Sequence, residues 1–141
     1  MKKTFFIVLM GVMLFTIVLV GCKVDENYEE KAREYSTLFN NIISDSTETL
    51  SDYSLGQISL NEYNSKTKLI INRLNSLKEK LETLNPPKKC ELFHTHQLKA
   101  MTYMKLSLEA GLDDIKSMIA YLDKMGEETY ATQMEAVDCY V

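Results

Sequence analysis

One stretch narrows the fold more than any other. Between Ser59 and Pro87, Leu60, Tyr63, Thr67, Ile70, Leu74, Leu77, Leu81 and Leu84 recur at alternating steps of three and four residues. That is the period of one face of an α-helix. Lys66, Lys68, Arg73, Lys78, Glu79, Lys80 and Glu82 fill the remaining positions, so the apolar strip is a narrow seam of the kind that packs between neighbouring helices. Both ends are marked. Ser59 and Glu62 have the spacing of a capping box, in which each side chain satisfies a free backbone N–H of the first turn. Asn85-Pro86-Pro87 stops the helix, because proline has no N–H and drives the residue before it out of helical geometry. A seam of this kind cannot be buried alone, so the chain around it has to supply partner helices.

The flanking sequence supplies them. A first helix is predicted from about Asp25, with Glu26, Glu29 and Glu30 placed early, where negative charge suits the positive end of the helix dipole. Its strip runs Tyr28, Ala32, Tyr35, Phe39, Ile42 and on through Ser46 to Leu50 and Tyr53, and is weakest in the Ser- and Thr-rich stretch 44–51. Leu55-Gly56-Gln57 forms the turn. After the prolines, Phe93, Gln97, Ala100, Met104, Leu108, Leu112, Ile115, Met118, Ile119, Leu122 and Met125 hold one helical phase straight through Gly111. This favours a single long helix ending at Gly126, followed by a short return over 127–140 with Tyr130, Met134 and Val137 turned inward. The competing layout stops at Gly111 and restarts at Asp113, a good N-cap residue. Either way the fold class is all-α, an antiparallel bundle of three to four helices.

The first 22 residues set the address. Met1-Lys2-Lys3-Thr4 is a basic start and 5–20 is an almost unbroken apolar run, the layout of a signal peptide. Leu19-Val20-Gly21-Cys22 follows, and it resembles the lipobox of bacterial lipoproteins. That resemblance implies that Leu19, Val20 and Gly21 are read by a dedicated signal peptidase, that the chain is cut before Cys22, and that the Cys22 thiol carries a diacylglyceryl group. Two or three acyl chains give a stable anchor where one is marginal. The alternative, an uncleaved membrane helix, needs about 17–25 apolar residues and leaves Gly-Cys at this position unexplained. The expected organisation is therefore a signal peptide at 1–21, a lipidated tether at 22–25 and a helical domain at 26–141.

Within the helical domain, Leu77, Leu81, Leu84, Pro86, Pro87 and His94 form a Leu-rich helix, a Pro-Pro break and a new helix with an early histidine. Over roughly 59–110 this resembles the small helical lipoproteins common in Gram-positive bacteria, most of which have no assigned activity. The likeness implies a fold and an address. Cys90 departs from their pattern.

Three sets of side chains invite a chemical reading. Cys90 and Cys139 are the two cysteines beyond the lipobox, and the outside of a cell permits disulfides. With a continuous third helix, Cys139 falls back only to the level of residue 112, roughly 30 Å from Cys90 at about 1.5 Å per residue, and the pair reads as two small core residues. With a turn at Gly111 the disulfide comes within reach. Cys90 and His94 lie one helical turn apart and are the weak candidates for a metal; His96 points elsewhere, and two ligands fall short of the three or four a transition-metal site needs. Met104, Met118 and Met125 lie on the apolar strip and read as flexible core filler. The eight tyrosines mostly fall on helix seams. No nucleophile–base arrangement and no phosphate-cradling glycine loop stands out, and Asp113-Asp114 and Glu127-Glu128 read as helix-start acids.

Once Lys2 and Lys3 leave with the signal peptide, 14 basic residues stand against 20 acidic ones. That balance argues against nucleic acid or anionic lipid as a direct partner, and leaves membrane attachment to the lipid on Cys22. The sequence thus leads to a lipid-anchored, extracytoplasmic, non-catalytic helical interaction module on the cell membrane, or on the outer membrane in a host that has two. It needs no cofactor, and it is expected to meet a membrane or surface protein. Two other readings stand beside it: an immunity or phage superinfection-exclusion lipoprotein, and a binder of a small ligand or metal.

Overall fold

The computed structural model describes residues 26–140. The expected signal peptide with Leu19, Val20 and Gly21, the expected lipidation site Cys22 and the expected tether to residue 25 lie outside the described residues. Four α-helices follow one another: α1 Glu26–Ser54, α2 Leu60–Glu82, α3 Glu91–Ala110 and α4 Ile115–Tyr140, with one 3-10 turn, Lys88–Cys90, leading into α3. Among the described residues there is no strand, and no helix is long and apolar enough to cross a membrane. The chain is an all-α antiparallel bundle.

The caps do what their spacing implies. Ser59 Oγ accepts from the Glu62 N–H and the Glu62 carboxylate accepts from the Ser59 N–H, completing the box at the start of α2. This pairing holds the Glu62 carboxyl below the usual carboxylate range, chiefly through its bond to the Ser59 backbone. The seam of α2 is buried from Tyr63 to Leu81, and α1 buries Tyr28, Ala32, Phe39, Ile42 and Ile43. The Ser- and Thr-rich half of α1 stays helical because tertiary packing outweighs its modest propensity: Thr49 is buried, and the Tyr53 ring meets the Tyr63 ring at 5.1 Å.

The layout after the prolines differs from the favoured expectation. Gly111 ends α3 with φ +55° and ψ −151°, a conformation open essentially to glycine, and its N–H caps the Ser107 carbonyl. Asp114, one residue beyond the expected cap at Asp113, accepts from the Ser117 N–H and opens α4. Its carboxyl is held below the ordinary range by those bonds to Ser117. Gly126, expected to stop a helix, sits inside α4 instead. The return helix is therefore 26 residues long, and its inward face carries Met125, Thr129, Thr132 and Cys139. Tyr130, Met134 and Val137, expected to point inward, are exposed.

Two core clusters result. The larger joins Phe39, Ile42, Ile43, Ile70, Leu74, Leu77, Leu81, Ala100, Met101, Met104 and Met125 across all four helices. The smaller gathers Tyr28, Ala32, Cys90, Phe93 and Cys139 at the end of the bundle where α1 begins. The α1–α2 and α3–α4 turns, 55–59 and 111–114, lie at the other end. At about 1.5 Å per residue, the 29 residues of α1 span about 43 Å between the two ends.

Candidate functional site

The end where α1 begins collects most of the chemistry-bearing side chains. The 3-10 turn after Pro87, closed by a Cys90 N–H to Pro87 carbonyl bond, sets Cys90 facing inward, and antiparallel α4 brings Cys139 down to it. The two are joined as a disulfide with Cα atoms 4.6 Å apart, and both are fully buried. The break at Gly111 allows this, because the turn reverses the chain soon enough for α4 to run back along the whole of α3.

That bond withdraws Cys90 as a metal ligand, since a disulfide sulfur carries no thiolate. His94, the other weak candidate, is buried one turn further on, where its Nδ1 lies 3.3 Å from the Tyr28 hydroxyl. Burial pushes the His94 pKa down. The fold therefore holds the neutral ring, and the stability this contributes is present at neutral pH. It is lost as pH falls below the ordinary histidine value, where the unfolded chain takes up the proton first. Among the described residues no group of three or more His, Cys, Asp and Glu side chains is placed to hold a metal ion.

Further along the α3–α4 interface, the Glu128 carboxylate meets His96 Nδ1 and, at 3.8 Å, Lys99 Nζ. With a helix end at Gly126, the sequence spacing makes Glu128 a helix-start acid. With α4 continuous, it stands mid-helix and ties the two elements together. Gln97, fully buried within the apolar seam of α3, donates through Nε2 to Ser36 Oγ of α1, and Ser36 in turn donates to the Ala32 carbonyl. Gln97 Oε1, Asn40 Oδ1, Thr129 Oγ1 and Gln133 Nε2 are buried without a hydrogen-bond partner. Buried polar side chains thus occur on α1, α3 and α4, and the Gln97–Ser36 bond joins the first two of these helices. Its only sequence signal was the single glutamine among apolar seam positions.

At the opposite end a cleft of about 350 Å³ opens between α2 and the α3–α4 turn, with Leu60, Tyr63, Thr67, Lys68, Leu108 and Leu112 among its walls. It is half open to solvent, whereas small-molecule sites enclose most of their ligand. Comparison with protein families, with curated proteins and with solved structures finds no match to this chain.

Proposed function

We propose that this chain is an extracytoplasmic lipoprotein, held at a membrane by lipid on Cys22, whose bundle is a non-catalytic interaction module working close to that surface. The observation that carries the reading is the buried Cys90–Cys139 disulfide. Such bonds persist outside the reducing cytosol, and this supports the export that the Leu19-Val20-Gly21-Cys22 motif implies. The bundle is kept near the surface because α1 begins at Glu26. The four residue steps from Cys22 reach at most about 14 Å. The partner class that suits such a short leash is a membrane or surface protein presented at the same bilayer.

Two measurements test the two halves of the proposal. Cells fed labelled palmitate are expected to mark the chain, and Cys22→Ala is expected to abolish the label; an unlabelled wild-type chain would overturn the anchor. Crosslinking in living cells is expected to capture one membrane or surface protein with the anchored chain and not with Cys22→Ala. If nothing specific is captured, the interaction module is refuted while the anchor stands.

A further inference from the structure

The C-terminal half of α4 carries an apolar stripe that the bundle does not use. Tyr130, Met134 and Val137 follow one another at steps of four and three, on the side of the helix away from Thr129, Thr132 and Cys139, and are 62%, 56% and 61% exposed. Where the stripe lies is as telling as its exposure. α4 runs antiparallel to α3, and Cys139 packs in the cluster of Tyr28 and Ala32 from the first turns of α1. Val137 is therefore at the level where α1 begins, and Tyr130 is only about 10 Å higher along the axis. On the anchor reading, on which this inference rests, lipid is fixed four residues before Glu26, so this end of the bundle lies within about 14 Å of the bilayer.

We propose that the Tyr130–Met134–Val137 stripe rests on the lipid surface, giving the domain a second, protein-borne contact with the membrane that fixes its tilt. Met134 and Val137 supply the apolar contact. Tyr130, higher on the helix, has a ring that suits the interface and a hydroxyl for the headgroup layer. Charge separates this occupant from the others. From Glu127 to Tyr140, α4 holds Glu127, Glu128, Glu135 and Asp138 and no basic residue, although Lys88 and Lys89 are exposed on the 3-10 turn at the same end. A second copy presenting the same acid-flanked stripe would bring like charges together. A lipid surface with no net charge would not. The contact is therefore apolar: it favours neutral lipid over anionic lipid, and salt does not disrupt it.

The test uses the full lipidated chain in vesicles of neutral phosphatidylcholine that contain a lipid with a nitroxide quencher at the headgroup–acyl boundary. A fluorophore is attached through Met134→Cys, or through Leu69→Cys as a control on α2, where Leu69 is 64% exposed. The other cysteines are lipidated or paired and do not compete for the label. The label at 134 is expected to be quenched and the label at 69 spared. Adding Tyr130→Ser and Val137→Ser should return quenching at 134 to the control level without changing flotation, which the lipid carries. Quenching at 134 should weaken when anionic lipid is added and persist at high salt. A wild-type chain that does not float with the vesicles overturns the anchor reading. A chain that floats but shows equal quenching at both labels overturns the stripe's contact alone. Shielding at 134 that vanishes when protein is diluted in the vesicles assigns the stripe to a second copy and also overturns the proposal.

Discussion

The bundle is two helical hairpins built on different principles. The α1–α2 hairpin is held by periodic packing: the α2 seam, the Tyr53–Tyr63 ring contact, and surface ion pairs from Lys66 to Asp52 and Arg73 to Asp45. Exposed pairs of that kind are worth little. The α3–α4 hairpin is held point to point, by the Cys90–Cys139 disulfide, by Glu128 between His96 and Lys99, and by the Ser107 hydroxyl donating to the Met118 carbonyl. The first hairpin spreads its stability over many interchangeable apolar contacts. The second adds a few specific links to an apolar interface of its own, to which Ala100, Met101, Met104 and Met125 contribute. Between the two, the buried Gln97 of α3 donates to Ser36 of α1.

That contrast is tested most strongly by breaking the covalent link. The disulfide closes a loop of 49 residues, and in the chain-entropy model a loop of that length contributes about 4 kcal/mol. Cys90→Ala with Cys139→Ala is expected to lower the unfolding free energy in urea by about that amount, with the native fold retained in far-UV circular dichroism. A reductant should bring the wild-type chain to the same midpoint and leave the double variant unmoved. If reductant leaves the wild-type midpoint unchanged, the α3–α4 hairpin is not held covalently and the two hairpins are alike.

The counterpart in α2 is Leu74→Ala. Leu74 is buried in the larger cluster, whereas the disulfide lies in the smaller one. Truncation should cost about 3 kcal/mol, the transfer and cavity terms together. Because the site belongs to a different core cluster from the cysteines, the loss should add to that of the disulfide variant, which a triple variant in urea would show. Marked non-additivity would mean that the hairpins share one cooperative network.

The same contrast explains what could be read from the sequence. Capping by Ser59 and Glu62, the Pro86-Pro87 stop and the seams of α1 and α2 are local, and a linear pattern carries them in full. The α3–α4 break is also local, yet it is masked by arithmetic. Residues 111–114 take up four positions, close to one helical turn, so Leu108, Leu112 and Ile115 keep phase across a turn as they would along a helix. From that one misplacement followed the rest: Gly126 read as a cap, Glu128 as a helix-start acid, Tyr130, Met134 and Val137 as core, and Cys139 out of reach of Cys90. Pairings that join distant positions, such as Gln97 with Ser36 and Tyr28 with His94, leave no period to detect.

The two glycines give the finest test, because the two layouts assign them opposite signs. Gly111→Ala meets no steric obstacle, with the added Cβ at an ordinary 3.5 Å from the Leu108 carbonyl. Its backbone is the difficulty: φ +55° with ψ −151° is closed to alanine, and strain of this kind costs about 1–3 kcal/mol. Gly126→Ala meets nothing within 4 Å and lies in ordinary helical backbone. There the methyl removes unfolded-state entropy and should stabilise the chain by about 0.5–1 kcal/mol. A continuous helix through Gly111 capped at Gly126 requires the reverse, with alanine favoured at 111 and penalised at 126. Thermal unfolding of the two single variants decides between them. A raised midpoint for Gly111→Ala would remove the turn that lets α4 return to Cys90, and with it the distinction between the hairpins.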